Sequence, residues 1–136
     1  MQRQILISAG ALALALATGA EAAQSPVDRG RYIVTSVGTC GDCHSPMDAA
    51  GQVPPGRALT GAQLPFAPTV PMPVWQAIAP PIAGGPVGWT DAQLTAFLQT
   101  GKKPDGTMAR PPMPAFRLNA EDAQAVAAYL KTLRPG

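Results

Sequence analysis

Histidine and cysteine, which bind metals and act as nucleophiles, are scarce in this chain. Its 136 residues include one histidine and two cysteines, and all three lie between positions 40 and 44. A structural zinc site takes four protein ligands, usually cysteine and histidine, so these three side chains do not complete one. The same scarcity leaves no second histidine for acid–base catalysis.

Charged and large apolar side chains are also in short supply. Only 13% of the residues are charged, the formal net charge is +2, and the only adjacent basic pair is Lys102–Lys103. Nucleic-acid binding needs a dense basic patch, so that class of function has no support. Aromatic residues make up 5% of the chain. Large apolar side chains are therefore too few to fill a core easily.

The cysteines and the histidine form one dense motif. In Cys40-Gly41-Asp42-Cys43-His44 two residues separate the cysteines, and the histidine follows directly. This spacing is that of a c-type haem attachment site. A short turn aims both sulfurs at one edge of the porphyrin, where they form thioethers with its vinyl groups. His44 then lies beneath the ring as the proximal iron ligand. The motif predicts one covalent haem c held by Cys40, Cys43 and His44.

Two other uses of a Cys-x-x-Cys pair fit this chain less well. A thioredoxin-type redox site expects a βαβ context, whereas the sequence after the motif is proline-rich and helical. A disulfide between Cys40 and Cys43 would leave the adjoining His44 unexplained. We therefore favour covalent haem, and we expect no disulfide because both cysteines are used.

The N-terminus has the pattern of a secretion signal. One basic side chain precedes an apolar stretch at residues 5–17, and Ala20 and Ala22 are spaced as in a cleavage site. The stretch is shorter than the roughly 20 residues that span a bilayer, which favours a signal over a membrane anchor. We predict a cleaved signal peptide at residues 1–23 and a single domain at residues 24–136. The mature chain would be periplasmic, with no membrane span.

Periodic apolar positions predict helices on both sides of the motif. A first helix covers residues 28–37. A second starts at Thr90, which forms a capping box with Gln93, and closes at Gly101. A last helix covers residues 119–133. The apolar positions assigned to the first helix are Val27, Tyr32, Ile33 and Val37, and those of the last are Ala123, Val126, Ala127, Leu130 and Leu133.

A long proline-rich stretch separates the motif from the second helix. Residues 45–89 hold many of the chain's 16 prolines and show little periodicity. Such a composition does not form long helices. We expect an ordered loop wrapped against the haem, with at most one short helical turn near residues 73–78.

The distal position of the iron takes methionine, some weaker ligand or nothing. A haem with two histidine ligands is excluded within a monomer, because the chain has one histidine. Methionine is a soft thioether ligand that raises the potential relative to imidazole. Met1 leaves with the signal peptide, and Met47 is too near His44 to reach the opposite haem face. Met72, Met108 and Met113 remain.

Met113 is the favoured candidate among these three methionines. Pro112 and Pro114 flank it, and Pro111 precedes them. Proline fixes backbone dihedrals and removes N–H donors, so the thioether would sit on a stiff loop that costs little entropy to hold on iron. We predict Met113 as the distal ligand, and we expect Met72 and Met108 to fill gaps.

Several segments accompany the cysteine–histidine motif on both sides of the proline-rich stretch. They are Arg29-Gly30-Arg31-Tyr32, Gly88-Trp89-Thr90-Asp91, Thr100-Gly101, Pro104-Asp105-Gly106, Met113-Pro114, Phe116, Leu118, Asp122 and Tyr129-Leu130. Together with the motif they resemble class I c-type cytochromes, in particular the monohaem domains of cytochrome subunits that serve bacterial periplasmic alcohol, aldehyde and sugar dehydrogenases. The resemblance covers roughly residues 27–47 and 87–134.

The resemblance implies an all-α cytochrome c fold of three to four helices around the haem. It implies that the first and last helices cross steeply, with Gly30 meeting Tyr129, and that His44 and Met113 are the axial ligands. The chain departs from the family pattern between Asp48 and Pro86, so the residues that hold the haem propionates are not assigned. Arg57, Trp75 and Trp89 are candidates by chemistry alone, since each donates hydrogen bonds.

One-electron transfer is the function that the motif and the resemblance favour. The expected partners are a dehydrogenase donor and a downstream cytochrome or oxidase, and the chain itself is not expected to be an enzyme. The alternative is a ligand-binding or peroxidase-like haem protein with an open distal site, where Arg110 or Arg117 would act as a distal donor. A third hypothesis is a subunit whose haem merely completes a dehydrogenase complex.

Overall fold

Four α-helices, one π-helical turn and two very short strands make up the regular structure of residues 24–135, the part of the chain that the computed structural model describes. The predicted signal peptide at residues 1–23 lies outside the described residues. The elements are α1 (Pro26–Tyr32), the π-helical turn (Ile33–Val37), α2 (Gly41–His44), β1 (Ala62–Gln63), β2 (Ile78–Ala79), α3 (Asp91–Thr100) and α4 (Ala120–Thr132). The predominance of helices and loops confirms the coarse all-α prediction.

The first helix starts earlier than predicted and changes character before the haem motif. Ser25 is its N-cap, and the Ser25 Oγ accepts a hydrogen bond from the Asp28 N–H at 3.1 Å. Pro26 follows at the first helical position, where its missing N–H costs nothing. The last turn widens into the π-helix, which ends when the Gly38 N–H donates to the Ile33 carbonyl.

The buried face of this first helical segment also differs from the prediction. Of the four positions assigned to it, only Ile33 is buried, and Val27, Tyr32 and Val37 are exposed. Gly30 and Val34 are the other buried residues of the segment. The apolar pattern indicated the wrong side of the helix, because the side that faces the core carries a glycine, which has no apolar side chain.

Helices α1 and α4 pack against each other at Gly30. A Cβ atom on Gly30 would lie 1.9 Å from the Ala125 carbonyl oxygen and 2.8 Å from the Tyr129 Cβ. The expected contact with Tyr129 is present, although the Ala125 backbone is closer. Beside it, the Arg29 guanidinium donates two hydrogen bonds to the Asp122 carboxylate at 2.8 and 3.2 Å. The hydrogen bond from Arg29 lowers the pKa of Asp122.

Helices α3 and α4 begin and end at the residues that the sequence marks. The Thr90 Oγ1 accepts from the Gln93 N–H, and the Gln93 side chain accepts from the Thr90 N–H, which completes the predicted capping box. Gly101 ends α3 in the left-handed conformation with φ of 73°. Asn119 caps α4 through a hydrogen bond from the Asp122 N–H.

The proline-rich stretch contains a small β ladder that the sequence did not predict. Strands β1 and β2 pair antiparallel, with Ala62 opposite Ala79 and Gln63 opposite Ile78. The region near residues 73–78 forms a hydrogen-bonded turn rather than a helix, closed from the Trp75 N–H to the Met72 carbonyl. Within residues 24–135, no helix has the length and apolar character needed to span a bilayer.

Small side chains dominate the core. Among the described residues thirteen hydrophobic side chains are buried, of which five are alanines and none is aromatic. The central cluster joins the π-helical turn, Leu59, Ala83, α3 and α4. The aromatic residues Trp89, Phe97, Phe116 and Tyr129 pack against its margin and are partly buried.

Candidate haem-binding site

The cysteine–histidine motif forms a tight helical turn directly after the π-helical turn. Thr39 precedes it with φ of 41°, a left-handed conformation that is uncommon for a β-branched residue. The Thr39 carbonyl accepts from the Asp42 N–H, and the Cys40 N–H donates to the Val34 carbonyl at 2.9 Å. Cys40 is the N-cap of α2, and His44 is its last residue. One turn of helix therefore carries Cys40, Cys43 and His44.

The His44 imidazole is buried and held by a backbone carbonyl. Its side chain is 6% exposed, and Nδ1 lies 2.7 Å from the Pro80 carbonyl oxygen. A carbonyl only accepts, so Nδ1 carries the proton and donates it, which leaves the Nε2 lone pair free. Burial lowers the pKa of His44, although the hydrogen bond to Pro80 opposes this shift. In the neutral ring this hydrogen bond fixes the tautomer with Nε2 free, which is the form that a metal-binding histidine uses.

The loop around Leu59 connects the cysteine–histidine motif to the segment after Pro80, whose carbonyl accepts the His44 hydrogen bond. The Leu59 N–H donates to the buried Ser45 Oγ at 2.9 Å, and the Leu59 carbonyl accepts from the N–H groups of Ile82 and Ala83. Leu59 is itself buried and has φ of 61°. Sequence reasoning missed this connection and the role of Pro80, because every residue has a backbone carbonyl and no side-chain pattern distinguishes these.

An apolar cleft lies beside Cys40. Its lining residues are Ile33, Gly38, Cys40, Leu98, Phe116, Leu118 and Val126. Burial raises the pKa of the Cys40 thiol. A reactive redox cysteine has a lowered pKa, so this environment disfavours the thioredoxin-type alternative. The cleft joins the motif to the helical core and to the chain that follows Met113.

Burial separates Met113 from the other methionines of the described chain. Met47, Met72 and Met108 are 46%, 38% and 45% exposed, whereas Met113 is partly buried. The Met108 Cε lies 3.0 Å from the position of a Cβ on Gly101, at the end of α3. Met113 lies on a turn closed by a hydrogen bond from its own N–H to the Arg110 carbonyl at 3.1 Å.

Of the three propionate candidates, Trp75 alone has a buried donor without a partner. Its indole Nε1 is the one buried side-chain nitrogen or oxygen of residues 24–135 that makes no hydrogen bond within the protein. Trp89 packs edge-on against Phe97 with ring centroids 5.2 Å apart. The Arg57 Nε donates to the Thr60 Oγ1 at 3.3 Å. A buried N–H needs an acceptor, so Trp75 is the candidate to donate to a bound ligand.

Comparisons with known proteins relate this chain to cytochromes c. A family model described as Cytochrome c matches residues 27–134. A protein named "Diheme cytochrome c-type" from Cereibacter sphaeroides is 33% identical over 109 residues, which cover 76% of this chain and 34% of that protein. The "Fructose dehydrogenase cytochrome subunit" of Gluconobacter japonicus is 29% identical over 115 residues, which cover 78% of this chain and 22% of that protein.

The aligned part of each relative is about a third of its length or less. The relatives therefore contain sequence that has no counterpart here, whereas the family match spans most of this chain, including the motif, α3, the Met113 turn and α4. Because the family model matches most of its length, the chain belongs to the cytochrome c family.

Proposed function

We propose that this protein is a one-electron carrier with a single haem c, attached through Cys40 and Cys43 and ligated by His44 and Met113. The observation that carries the proposal is the buried His44 ring, whose Nδ1 is held 2.7 Å from the Pro80 carbonyl within the attachment turn. When bound, the haem supplies an iron that changes between Fe(III) and Fe(II) and so holds or releases one electron.

The residues of the chain fit such a group on the proximal side. The hydrogen bond from Nδ1 directs the Nε2 lone pair of His44 away from Pro80 and makes it more basic, which is what an iron ligand requires. The sulfurs of Cys40 and Cys43 belong to the same helical turn as His44, so attachment and ligation come from one rigid unit. The cleft beside Cys40 has an apolar lining, which suits the apolar face of a haem.

Three further features support the proposed haem site. Met113 is the methionine of the described chain that is partly buried, on a turn stiffened by prolines. The unpartnered Trp75 N–H is a donor suited to a haem carboxylate. The Arg110 guanidinium already donates three hydrogen bonds to residues 73–76, which argues against its use as a distal donor in an open site.

The N-terminal sequence and the relatives support a location and a class of partner for this carrier. Residues 1–23 would direct the chain to the periplasm, where covalent haem attachment takes place, and the mature domain would begin near residue 24. The fructose dehydrogenase cytochrome subunit among its relatives supports a dehydrogenase as the electron donor. A partly exposed Cys43 would mark the haem edge at which partners dock through a small interface.

The visible spectrum of the secreted, haem-matured protein tests this proposal. We expect a low-spin c-type spectrum, a methionine–iron charge-transfer band in the oxidised form, and no immediate change when CO is added to the reduced form. A high-spin spectrum that shifts with CO would mean an open iron and would overturn the electron-carrier assignment. The mass of the purified protein checks the rest, since it should equal residues 24–136 plus one haem.

Met113→Ala tests the distal ligand. The variant should retain covalent haem but lose the charge-transfer band, bind CO and have a lower midpoint potential, because a soft thioether stabilises Fe(II). Met72→Ala is the matched control, because Met72 is more exposed than Met113. This variant should behave as the wild-type protein does. The ligand assignment is wrong if Met72→Ala shows these changes and Met113→Ala does not.

A further inference from the structure

The turn that carries Met113 has few means of attaching itself to the protein. Pro111, Pro112 and Pro114 have no N–H groups to donate. The N–H of Met113 is used inside the turn, on the Arg110 carbonyl. The backbone donors that usually anchor a loop are therefore missing around Met113, and other groups must hold the turn in place.

All hydrogen bonds that tie residues 110–117 to the rest of the described chain lead to residues 73–76. The flanking anchors are Ala109 N–H to the Gly101 carbonyl and Leu118 N–H to the Leu98 carbonyl. Between them, four bonds connect the two segments. They are Arg110 Nε to the Val74 carbonyl at 3.0 Å, Arg110 Nη1 to the Gln76 Oε1 at 3.2 Å, Arg110 Nη2 to the Pro73 carbonyl at 3.4 Å, and Gln76 N–H to the Pro111 carbonyl at 2.7 Å.

Apolar contacts hold the other end of the loop. The Ala115 Cβ lies 2.6 Å from the position of a Cβ on Gly101, and the Phe116 Cε1 lies 3.6 Å from that of a Cβ on Gly38. These contacts fix the chain after Met113. The side before Met113 depends on the bond from the Gln76 N–H to the Pro111 carbonyl and on the Arg110 guanidinium. The guanidinium fixes orientation because it is planar and donates in several fixed directions at once.

We propose that Arg110 is a positioning residue that keeps Met113 on the haem iron by fastening the 110–113 turn to residues 73–76. The proposal rests on the proposed function, because it takes Met113 as the distal ligand. The turn has two states, one with the thioether against iron and one displaced. Hydrogen bonds that exist only in the first state increase its population. Loss of the guanidinium therefore raises the fraction of time that the distal position is open.

The experiment compares CO binding to the reduced, haem-matured wild-type protein with that of Arg110→Ala, Arg110→Lys and Gln76→Ala. Arg110→Ala should bind CO about tenfold faster, the change that corresponds to losing the net contribution of about one hydrogen bond. Arg110→Lys and Gln76→Ala should fall between Arg110→Ala and the wild-type protein, because each retains part of the connection. The charge-transfer band should weaken across the variants in the same order as their CO rates increase. This weakening should be present at temperatures well below the unfolding temperature.

Arg117→Ala is the matched control for charge and loop. Arg117 lies on the same loop and makes no side-chain hydrogen bond among the described residues, so its loss should leave CO binding and the band unchanged. Equal CO rates for Arg110→Lys, Gln76→Ala and the wild-type protein would overturn the proposal, even if Arg110→Ala does not mature. A wild-type protein that lacks the charge-transfer band or binds CO at once would instead overturn the proposed function.

Discussion

At the scale of single residues, Gly30 occupies a position where any side chain would collide with helix α4. The Ala125 carbonyl oxygen occupies the space that a Cβ on Gly30 would need, at 1.9 Å. Both atoms that would collide with it in Ala125 belong to the backbone, so no side-chain rotation relieves the contact. Helices α1 and α4 would have to separate, and their separation would also weaken the ion pair between Arg29 and Asp122.

Gly30→Ala should therefore destabilise the folded protein by about 2–3 kcal/mol, the cost of overpacking a close backbone contact. Chemical unfolding of the haem-matured protein measures this loss. Gly41→Ala is the control, because Gly41 is also helical and a Cβ there would meet only the Ser45 Oγ at an ordinary 3.5 Å. Equal stability of the two variants would show that the helices adjust without cost.

His44 and Pro80 show why a candidate ligand can be predicted from sequence although its hydrogen-bond partner cannot. His44 is predicted as an iron ligand from its position after Cys43, because haem attachment dictates that spacing. Its partner is a carbonyl on Pro80, which is 36 residues away in the chain. A backbone acceptor leaves no trace in residue type, so only the folded chain identifies it. Met113 as distal ligand stays a prediction, supported here by its burial.

At the scale of elements, the helix ends were predictable where the signal is local. Thr90 with Gln93, and Gly101, act within one turn of α3 and were assigned correctly. The last helix was predicted to start at Asn119, which is the N-cap of α4. The π-helical turn, the β ladder and the connection from Arg110 to residues 73–76 were not predicted. Each depends on contacts between distant parts of the chain, which composition and periodicity do not record.

Thr90→Ala measures how much the α3 cap contributes. Removal of the Oγ1 leaves the Gln93 N–H without its acceptor, so we expect a loss of about 1 kcal/mol in the free energy of unfolding. Thr95→Ala is the control in the same helix, because the Thr95 hydroxyl makes no hydrogen bond among the described residues, and alanine favours helix. A Thr90→Ala variant as stable as Thr95→Ala would contradict this role.

At the scale of the whole molecule, the chain provides only a small core of its own. Among residues 24–135, the largest side chain that is almost fully shielded from solvent is Val34, at 1% exposed, and five of the thirteen buried hydrophobic residues are alanines. Apolar burial stabilises a fold in proportion to area, so this core contributes less than its residue count implies. A covalently held haem would add a large apolar surface in contact with the proline-rich loop and the helices.

The Cys40→Ala, Cys43→Ala double variant separates the chain from its cofactor. It should lose covalent haem and fold poorly, with less helix by circular dichroism and no cooperative unfolding transition, because the small core cannot offset the entropy of ordering the proline-rich loop. Asp42→Ala is the control, since it alters an exposed residue of the same turn and keeps both sulfurs. A double variant that unfolds cooperatively without haem would contradict the dependence of the fold on its cofactor, and it would leave the loop held by contacts such as those of Leu59 and Arg110 alone.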